Sequence, residues 1–170
     1  ERVGAGVDGA RVGQRVWTFN AQWERPCGTS AQYVALPAAL AVPLASQLSF
    51  EQGACLGIPV MTAHRCLFAD GPVAGKTVLV TGGAGVVGHY AVQLAKWAGA
   101  MVVTTVSSQA KADHAAAAGA DLVVNYRTEN VVERIRAATG GVDHVVDVDF
   151  GKNLPVTVQL LRPNSVVASY

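Results

Sequence analysis

Gly83-Ala84-Gly85-Val86-Val87-Gly88 sets three glycines in a G-x-G-x-x-G spacing. The chemistry this pattern serves is the holding of a pyrophosphate. Gly83 permits a tight turn, Gly85 lets an anion approach the backbone with no Cβ in the way, and Gly88 lets a helix lie close to a sheet. The start of such a helix offers free N–H groups and a partial positive charge to the phosphates. In a chain with 18 glycines the spacing alone is weak. Its surroundings make it specific. Thr77–Thr81 before it is a β-branched apolar run, and Val87, Ala91, Leu94, Ala95 and Ala98 after it recur at helical spacing.

A dinucleotide site must also recognise a ribose. A carboxylate at the end of the second strand would select the free 2′-hydroxyl of NAD. Here that strand ends Thr104-Thr105-Val106-Ser107-Ser108, with no carboxylate. Lys111 follows one helical turn on, where its ammonium can meet a 2′-phosphate. Two small hydroxyls and a cation in place of an anion favour NADPH.

The elements that position these residues are legible on both sides of them. Thr77–Thr81, Met101–Val106, Leu122–Asn125, Val142–Val148 and Ser165–Ser169 read as strands. Helices are expected from Val87 to Ala98, over Gln109–Ala118 with Ser108 as cap, over Glu129–Thr139, and over Lys152–Leu161 up to Pro163. This alternation implies a doubly wound parallel sheet of the Rossmann type. Its strand order is expected to reverse beside the first strand and leave a crevice at the strands' C-terminal ends. The texture changes near Gly71–Lys76, so residues 71–170 are taken as the dinucleotide-binding domain. Residues 1–70 read as β-rich. Strands are expected at Gly13–Trp17 and Gln32–Leu36, and helices over Phe50–Leu56, with Ser49 and Gln52 as a loose capping box, and over Val60–Ala69.

Composition narrows the function classes. The 170 residues are 51% hydrophobic with a formal net charge of +1. That apolar content excludes a long disordered protein, and the balanced charge excludes binding that works by neutralising nucleic-acid phosphates. No apolar run approaches the roughly 20 residues of a membrane span. Cys27, Cys55 and Cys66 form an odd set without a Cys-x-x-Cys pair. They are expected to be buried small hydrophobes in a reducing cytoplasm rather than disulfides.

Longer stretches carry a family resemblance. Gln52-Gly53-Ala54-Cys55-Leu56-Gly57-Ile58-Pro59-Val60-Met61-Thr62-Ala63-His64-Arg65 precedes Val78-Leu79-Val80-Thr81-Gly82-Gly83-Ala84-Gly85-Val86-Val87-Gly88. Ala91-Val92-Gln93-Leu94-Ala95-Lys96, Gly119-Ala120-Asp121 and Val124-Asn125-Tyr126-Arg127 follow. In order and spacing the chain resembles the NADPH:quinone oxidoreductase, zeta-crystallin-like branch of the medium-chain dehydrogenase/reductase superfamily. The resemblance covers essentially the whole chain. It implies a GroES-like β-rich catalytic domain, of which residues 1–70 would be the C-terminal part, followed by a Rossmann domain with five of an expected six strands. Such enzymes are roughly twice this length, so an internal fragment is expected, inactive by itself and prone to associate.

The resemblance also assigns roles. Gly83, Ala84, Gly85, Val86 and Val87 match the pyrophosphate loop, and Ser107, Ser108 and Lys111 the 2′-phosphate pocket. Tyr126 matches an aromatic enclosing the adenosine phosphate end, and Thr62 a threonine near the nicotinamide. Three departures stand out: Val86 for a usual glycine, Asp149-Phe150 for a small pair after the fourth strand, and Asn164-Ser165 for a usual Gly-Gly. Zinc relatives carry a four-cysteine lobe, whereas Trp17–Gln32 holds only Cys27. Ile58 stands where their catalytic zinc cysteine would be, so no metal is expected. His64, His89, His114 and His144 share no ligand spacing and read as helix-face or surface residues.

The implied reaction is zinc-free hydride transfer from NADPH to a quinone or similar conjugated carbonyl. The alternatives are an enoyl or alkenal double-bond reductase of the same superfamily, or a non-catalytic, crystallin-like NADPH-binding protein. No catalytic acid or base stands out. Asp147 and Asp149 lie at a strand end, where capping or hydrogen bonding to backbone is their expected role. The expected partners are a small-molecule quinone or enone and further copies in a dimer or tetramer, without nucleic acid or membrane.

Overall fold

The computed structural model describes residues 1–170 and divides them into two compact units, Glu1–Ile58 and Pro59–Tyr170.

In the first unit, β1 (Val16–Thr18) pairs antiparallel with β2 (Ala41–Pro43), Trp17 facing Val42. Arg11 ties the turn before β1 to this ribbon, donating to the carbonyls of Ala38 at 3.0 Å and Ala41 at 2.5 Å. Arg15 donates to the Leu48 carbonyl and lies over the Phe50 ring. Gln32–Leu36 does not form the expected strand. The partner of β1 comes later in the chain, and Pro37 closes the segment without an N–H to extend a ladder. The helix α1 (Phe50–Ala54) opens on a complete capping box. The Gln52 N–H donates to Ser49 Oγ, and the Ser49 N–H donates to Gln52 Oε1.

The second unit is the layered one. It starts within α2 (Ile58–Phe68), earlier than the expected change at residue 71, because Ala63, Cys66 and Leu67 of α2 belong to the core of the sheet. Then come β3 (Thr77–Thr81), α3 (Val86–Trp97), β4 (Met101–Val106), α4 (Gln109–Ala117), β5 (Leu122–Asn125), α5 (Val131–Thr139), β6 (Val142–Asp147), α6 (Phe150–Leu160) and β7 (Leu161–Ser169). The order across the sheet is β5-β4-β3-β6-β7, and every neighbouring pair is parallel. The order therefore reverses at β3, the strand that leads into the glycine turn.

Both faces of the sheet are covered. Val78, Val80, Val102 and Val146 pack with Leu67 and Val92 on the face of α2 and α3. Leu79, Val103, Val124 and Val145 pack with Ile135 and Leu160 on the face of α5 and α6. Alternate side chains of each strand thus enter opposite layers, which is why the strands read as unbroken apolar runs. A fully buried valine contributes about 1.5–3 kcal/mol, so the four of β3 and β4 at 0% exposure (Val78, Val80, Val102, Val103) anchor the layers.

The departures at element ends have local causes. α5 begins after Asn130, whose side chain caps the Glu133 N–H; Glu129 instead turns back and accepts from the Asn125 N–H at 2.8 Å. α6 begins at Phe150 rather than Lys152, because Asp149 caps it by accepting from the Lys152 N–H. It ends at Leu160, before Pro163. Leu161–Ser169 then joins the sheet with a register shift, Leu161 opposite Val142 and Val166 opposite His144. Asn164 sits inside that shift at φ 64°, and the Ser165 hydroxyl reaches the carbonyls of Val142 and Arg162.

Candidate dinucleotide site

The turn after β3 is built by close approach. A Cβ on Gly83 would meet Thr104 Oγ1 at 2.0 Å, and one on Gly88 would meet the Gly82 carbonyl oxygen at 2.4 Å. No side chain fits at either position. Thr104 is itself fixed, its hydroxyl donating to the Val80 carbonyl at 2.7 Å. Thr105 holds the turn from the neighbouring strand: its Oγ1 accepts from the Gly82 N–H and its carbonyl from the Gly83 N–H, both at 3.3 Å. The Gly85 N–H donates to the Gly82 carbonyl at 2.8 Å. Gly85 is also the N-cap of α3, with no side chain over it. The N–H groups of Val86, Val87 and Gly88 form the first turn and have no helical acceptor.

A cleft of about 210 Å³ opens above this turn. It is lined by Gly82, Ala84 and Gly85 from the turn, Thr105, Val106, Ser107 and Lys111 from the β4–α4 region, Tyr126 after β5, and Val148 after β6. Lys111 Nζ donates to Ser107 Oγ at 3.1 Å, and Ser108 caps α4 by accepting from the Lys111 N–H. The cleft rim thus carries an ammonium and two hydroxyls on a helix N-terminus, with no carboxylate among its lining residues. Tyr126 is half exposed at one end of it, its N–H donating to the Val106 carbonyl at 3.0 Å.

Of the residues singled out from the sequence, Ala84, Gly85, Ser107, Lys111 and Tyr126 converge on this cleft. Gly83 is buried beneath it, and Val86, Val87 and Ser108 stand in the helix starts beside it. Thr62 lies half-buried in α2 and does not line the cleft. Sequence reasoning missed Gly82, Thr105, Val106 and Val148. Gly82 carried a signal, since it stands between the strand and the motif and adopts φ 68°. Thr105, Val106 and Val148 carried none, because nothing in one strand's sequence says that a neighbouring strand ends level with it.

The histidines and cysteines correct two expectations. His144 is not on a surface or a helix: it is buried in β6 at 1% exposure, and its Nε2–H donates to the Cys66 carbonyl at 2.7 Å. Burial holds its pKa below the ordinary imidazole value. His89, in the first turn of α3, stacks on His114 of α4 with ring centroids 4.1 Å apart. Burial, and then the neighbouring His114, lower the pKa of His89. Of the cysteines only Cys66 is buried; Cys27 and Cys55 are exposed. No three His, Cys, Asp or Glu side chains converge on a point that could hold a metal. No helix is long and apolar enough to cross a membrane.

Comparisons with known proteins agree with this architecture. A family model for zinc-binding dehydrogenases matches residues 86–170. A quinone oxidoreductase of Rattus norvegicus is 35% identical over 164 residues, 95% of this chain and 49% of that protein. The crystal structure of a 2-haloacrylate reductase superposes with a TM-score of 0.80 at 33% identity, over 99% of this chain and 52% of that one. The Escherichia coli quinone oxidoreductase complexed with NADPH gives a TM-score of 0.71 at 32% identity, over 78% of this chain and 41% of that one. The chain spans about half the length of the curated relatives it matches. With the glycine turn, the reversal of strand order at β3 and these likenesses together, the chain belongs to the zinc-binding dehydrogenase family, in the quinone oxidoreductase branch of the medium-chain dehydrogenase/reductase superfamily.

Proposed function

We propose that this chain is the NADPH-binding part of an oxidoreductase that reduces a quinone or similar conjugated carbonyl without zinc. The observation that carries the reading is the pairing of Lys111 Nζ with Ser107 Oγ at the end of β4, where an NAD site would place a carboxylate. The glycine cradle fits a pyrophosphate: a Cβ at Gly83 or Gly88 would fill it. Gly83, Ala84, Gly85, Val86 and Val87 would hold the pyrophosphate, Ser107, Ser108 and Lys111 the 2′-phosphate, and Tyr126 the adenosine end. When bound, NADPH supplies the hydride.

The residues contribute binding and orientation. The N-terminus of α3 places unpaired N–H groups and its dipole toward the phosphates. Lys111 supplies a full charge that a 2′-hydroxyl would not repay. The apolar layers beneath the turn keep the cradle rigid, so that the reacting end of the cofactor is held in one orientation. A quinone takes its protons from water once reduced, so this reading asks for no dedicated acid. Thr62 is retained as a nicotinamide neighbour on the resemblance alone. The homo-oligomer and the cytoplasm remain part of this reading.

One observation favours a second acceptor class. The 2-haloacrylate reductase likeness covers 99% of this chain, and that protein's name denotes reduction of an activated alkene. The test is NADPH oxidation followed at 340 nm (the NADPH absorbance band) by the whole oxidoreductase that contains this chain, offered 1,4-benzoquinone, 2-alkenals and 2-haloacrylates in parallel. Faster turnover of the quinone supports the main reading, and faster turnover of the alkenes replaces it with the second. NADPH binding without turnover of any acceptor points to a non-catalytic binding protein.

A further inference from the structure

Asp147 is the only carboxylate of the chain that is fully enclosed, at 0% exposure. It ends β6 beside the point where the strand order reverses. Its Oδ1 accepts from the Asp149 N–H at 2.7 Å and from Asn153 Nδ2 at 3.0 Å. Its Oδ2 is buried and accepts nothing. An enclosed carboxylate with one oxygen unmatched costs stability that an apolar side chain would not. Such costs collect where a group serves a site.

What these bonds hold is the turn from β6 into α6. The Val148 N–H donates to Thr81 Oγ1 at 3.0 Å, and the Asp149 N–H is taken by Asp147. Neither N–H is left for a phosphate, in contrast with the glycine turn after β3. The turn offers a side chain instead. Val148 is 47% exposed and lines the cleft, its Cγ1 3.4 Å from where a Cβ of Gly82 would stand. The strand order lays the cleft out as β5, β4, β3, β6. Val148 is therefore three strand spacings, roughly 14 Å, from Tyr126 and the adenosine end.

We propose that Asp147 is a positioning residue: its enclosed carboxylate fixes the β6–α6 turn so that Val148 forms the cleft wall against the part of the dinucleotide beyond the pyrophosphate. This rests on the dinucleotide reading above.

The test is titration of NADPH and of 2′,5′-ADP into the wild type and the variants Asp147→Ala, Asp147→Asn and Val148→Gly. The bisphosphate carries only the adenosine end, which faces Ser107, Lys111 and Tyr126. Asp147→Ala and Val148→Gly are expected to weaken NADPH about tenfold, about 1.4 kcal/mol, and to leave 2′,5′-ADP within about twofold. Asp147→Asn keeps the acceptor oxygen and stays near the wild type. Equal weakening of both ligands, or none in folded Asp147→Ala, overturns the proposal and leaves Asp147 a purely structural role. If Asp147→Ala does not fold, Val148→Gly decides, and unchanged NADPH affinity there is the overturning result. A wild type that binds both ligands keeps the dinucleotide reading whatever the variants do. A wild type that binds neither overturns both.

Discussion

The α-carbon of Gly88 lies so close to Gly82 that a methyl group on it would stand 2.4 Å from the Gly82 carbonyl oxygen. The obstacle is backbone, which cannot swing aside as a side chain can. Gly88→Ala must therefore push α3 away from the end of β3 and open the turn. NADPH affinity is expected to fall at least tenfold, and the melting temperature with it, since overpacking of this kind costs about 1–3 kcal/mol. Titration beside a thermal melt reads both; wild-type affinity in the variant would contradict the geometry.

Cofactor choice is expected to rest on the Lys111–Ser107 pair, 3.1 Å apart. Lys111→Ala removes the cation and should weaken NADPH about tenfold while leaving NADH nearly unchanged, the loss expected for a charge-assisted hydrogen bond of about 1.5 kcal/mol. Ser107→Asp should go further and reverse the preference toward NADH. Competitive titration of the two cofactors decides it.

Acid should loosen the second unit through its histidines. His89 and His144 both have folded-state pKa values below the ordinary imidazole value, from burial in each case. In the unfolded chain they titrate near 6.5. Above that pH neither state is protonated and stability is at its plateau. As pH falls below about 6.5 the unfolded chain gains protons first, so stability declines until the folded-state values are passed. Melting temperature should therefore drop as pH falls below about 6.5. His89→Gln should flatten part of that slope, because it removes one of the two imidazoles whose pKa is lowered by burial.

Asn164 occupies the left-handed region at φ 64° in the register shift of β7. This explains why an asparagine can stand where relatives are expected to use glycine. Asn and Gly tolerate that conformation, and other side chains do so at a cost. Asn164→Gly should be within about 0.5 kcal/mol of the wild type, and Asn164→Ala about 1 kcal/mol less stable. Urea unfolding of the two variants measures the difference.

The proposed independence from zinc is open to a direct check. Incubation of the whole oxidoreductase that contains this chain with 1,10-phenanthroline or EDTA, followed by desalting, should leave its proposed NADPH-dependent reduction of the acceptor within about twofold of the untreated enzyme. Loss of activity restored by added Zn²⁺ would return the chain to the metal-dependent side of its family.

Much of the second unit was written in local sequence. Thr77–Thr81, Met101–Val106 and Leu122–Asn125 form strands with the expected bounds, since each is an apolar run closed by turn residues. Ser108 caps its helix as expected, its side chain within reach of the backbone it serves, whereas α5 starts two residues later than expected, after its cap Asn130. The first unit was less legible. The partner of β1 is chosen by a contact across some 25 residues of sequence, and Gln32–Leu36, extended by pattern, has no neighbour to pair with.

The glycine turn, the absence of a carboxylate after β4 and the alternation that makes a parallel sheet are all written locally in the chain. All three depend on residues near one another in the chain. The burial of His144 against the Cys66 carbonyl, the stacking of His89 on His114 and the entry of Thr105 and Val148 into the cleft come from packing between distant segments. Those facts depend on which strand lies beside which. Strand order is set by packing two layers of helices over one sheet, a choice that no single stretch of sequence contains.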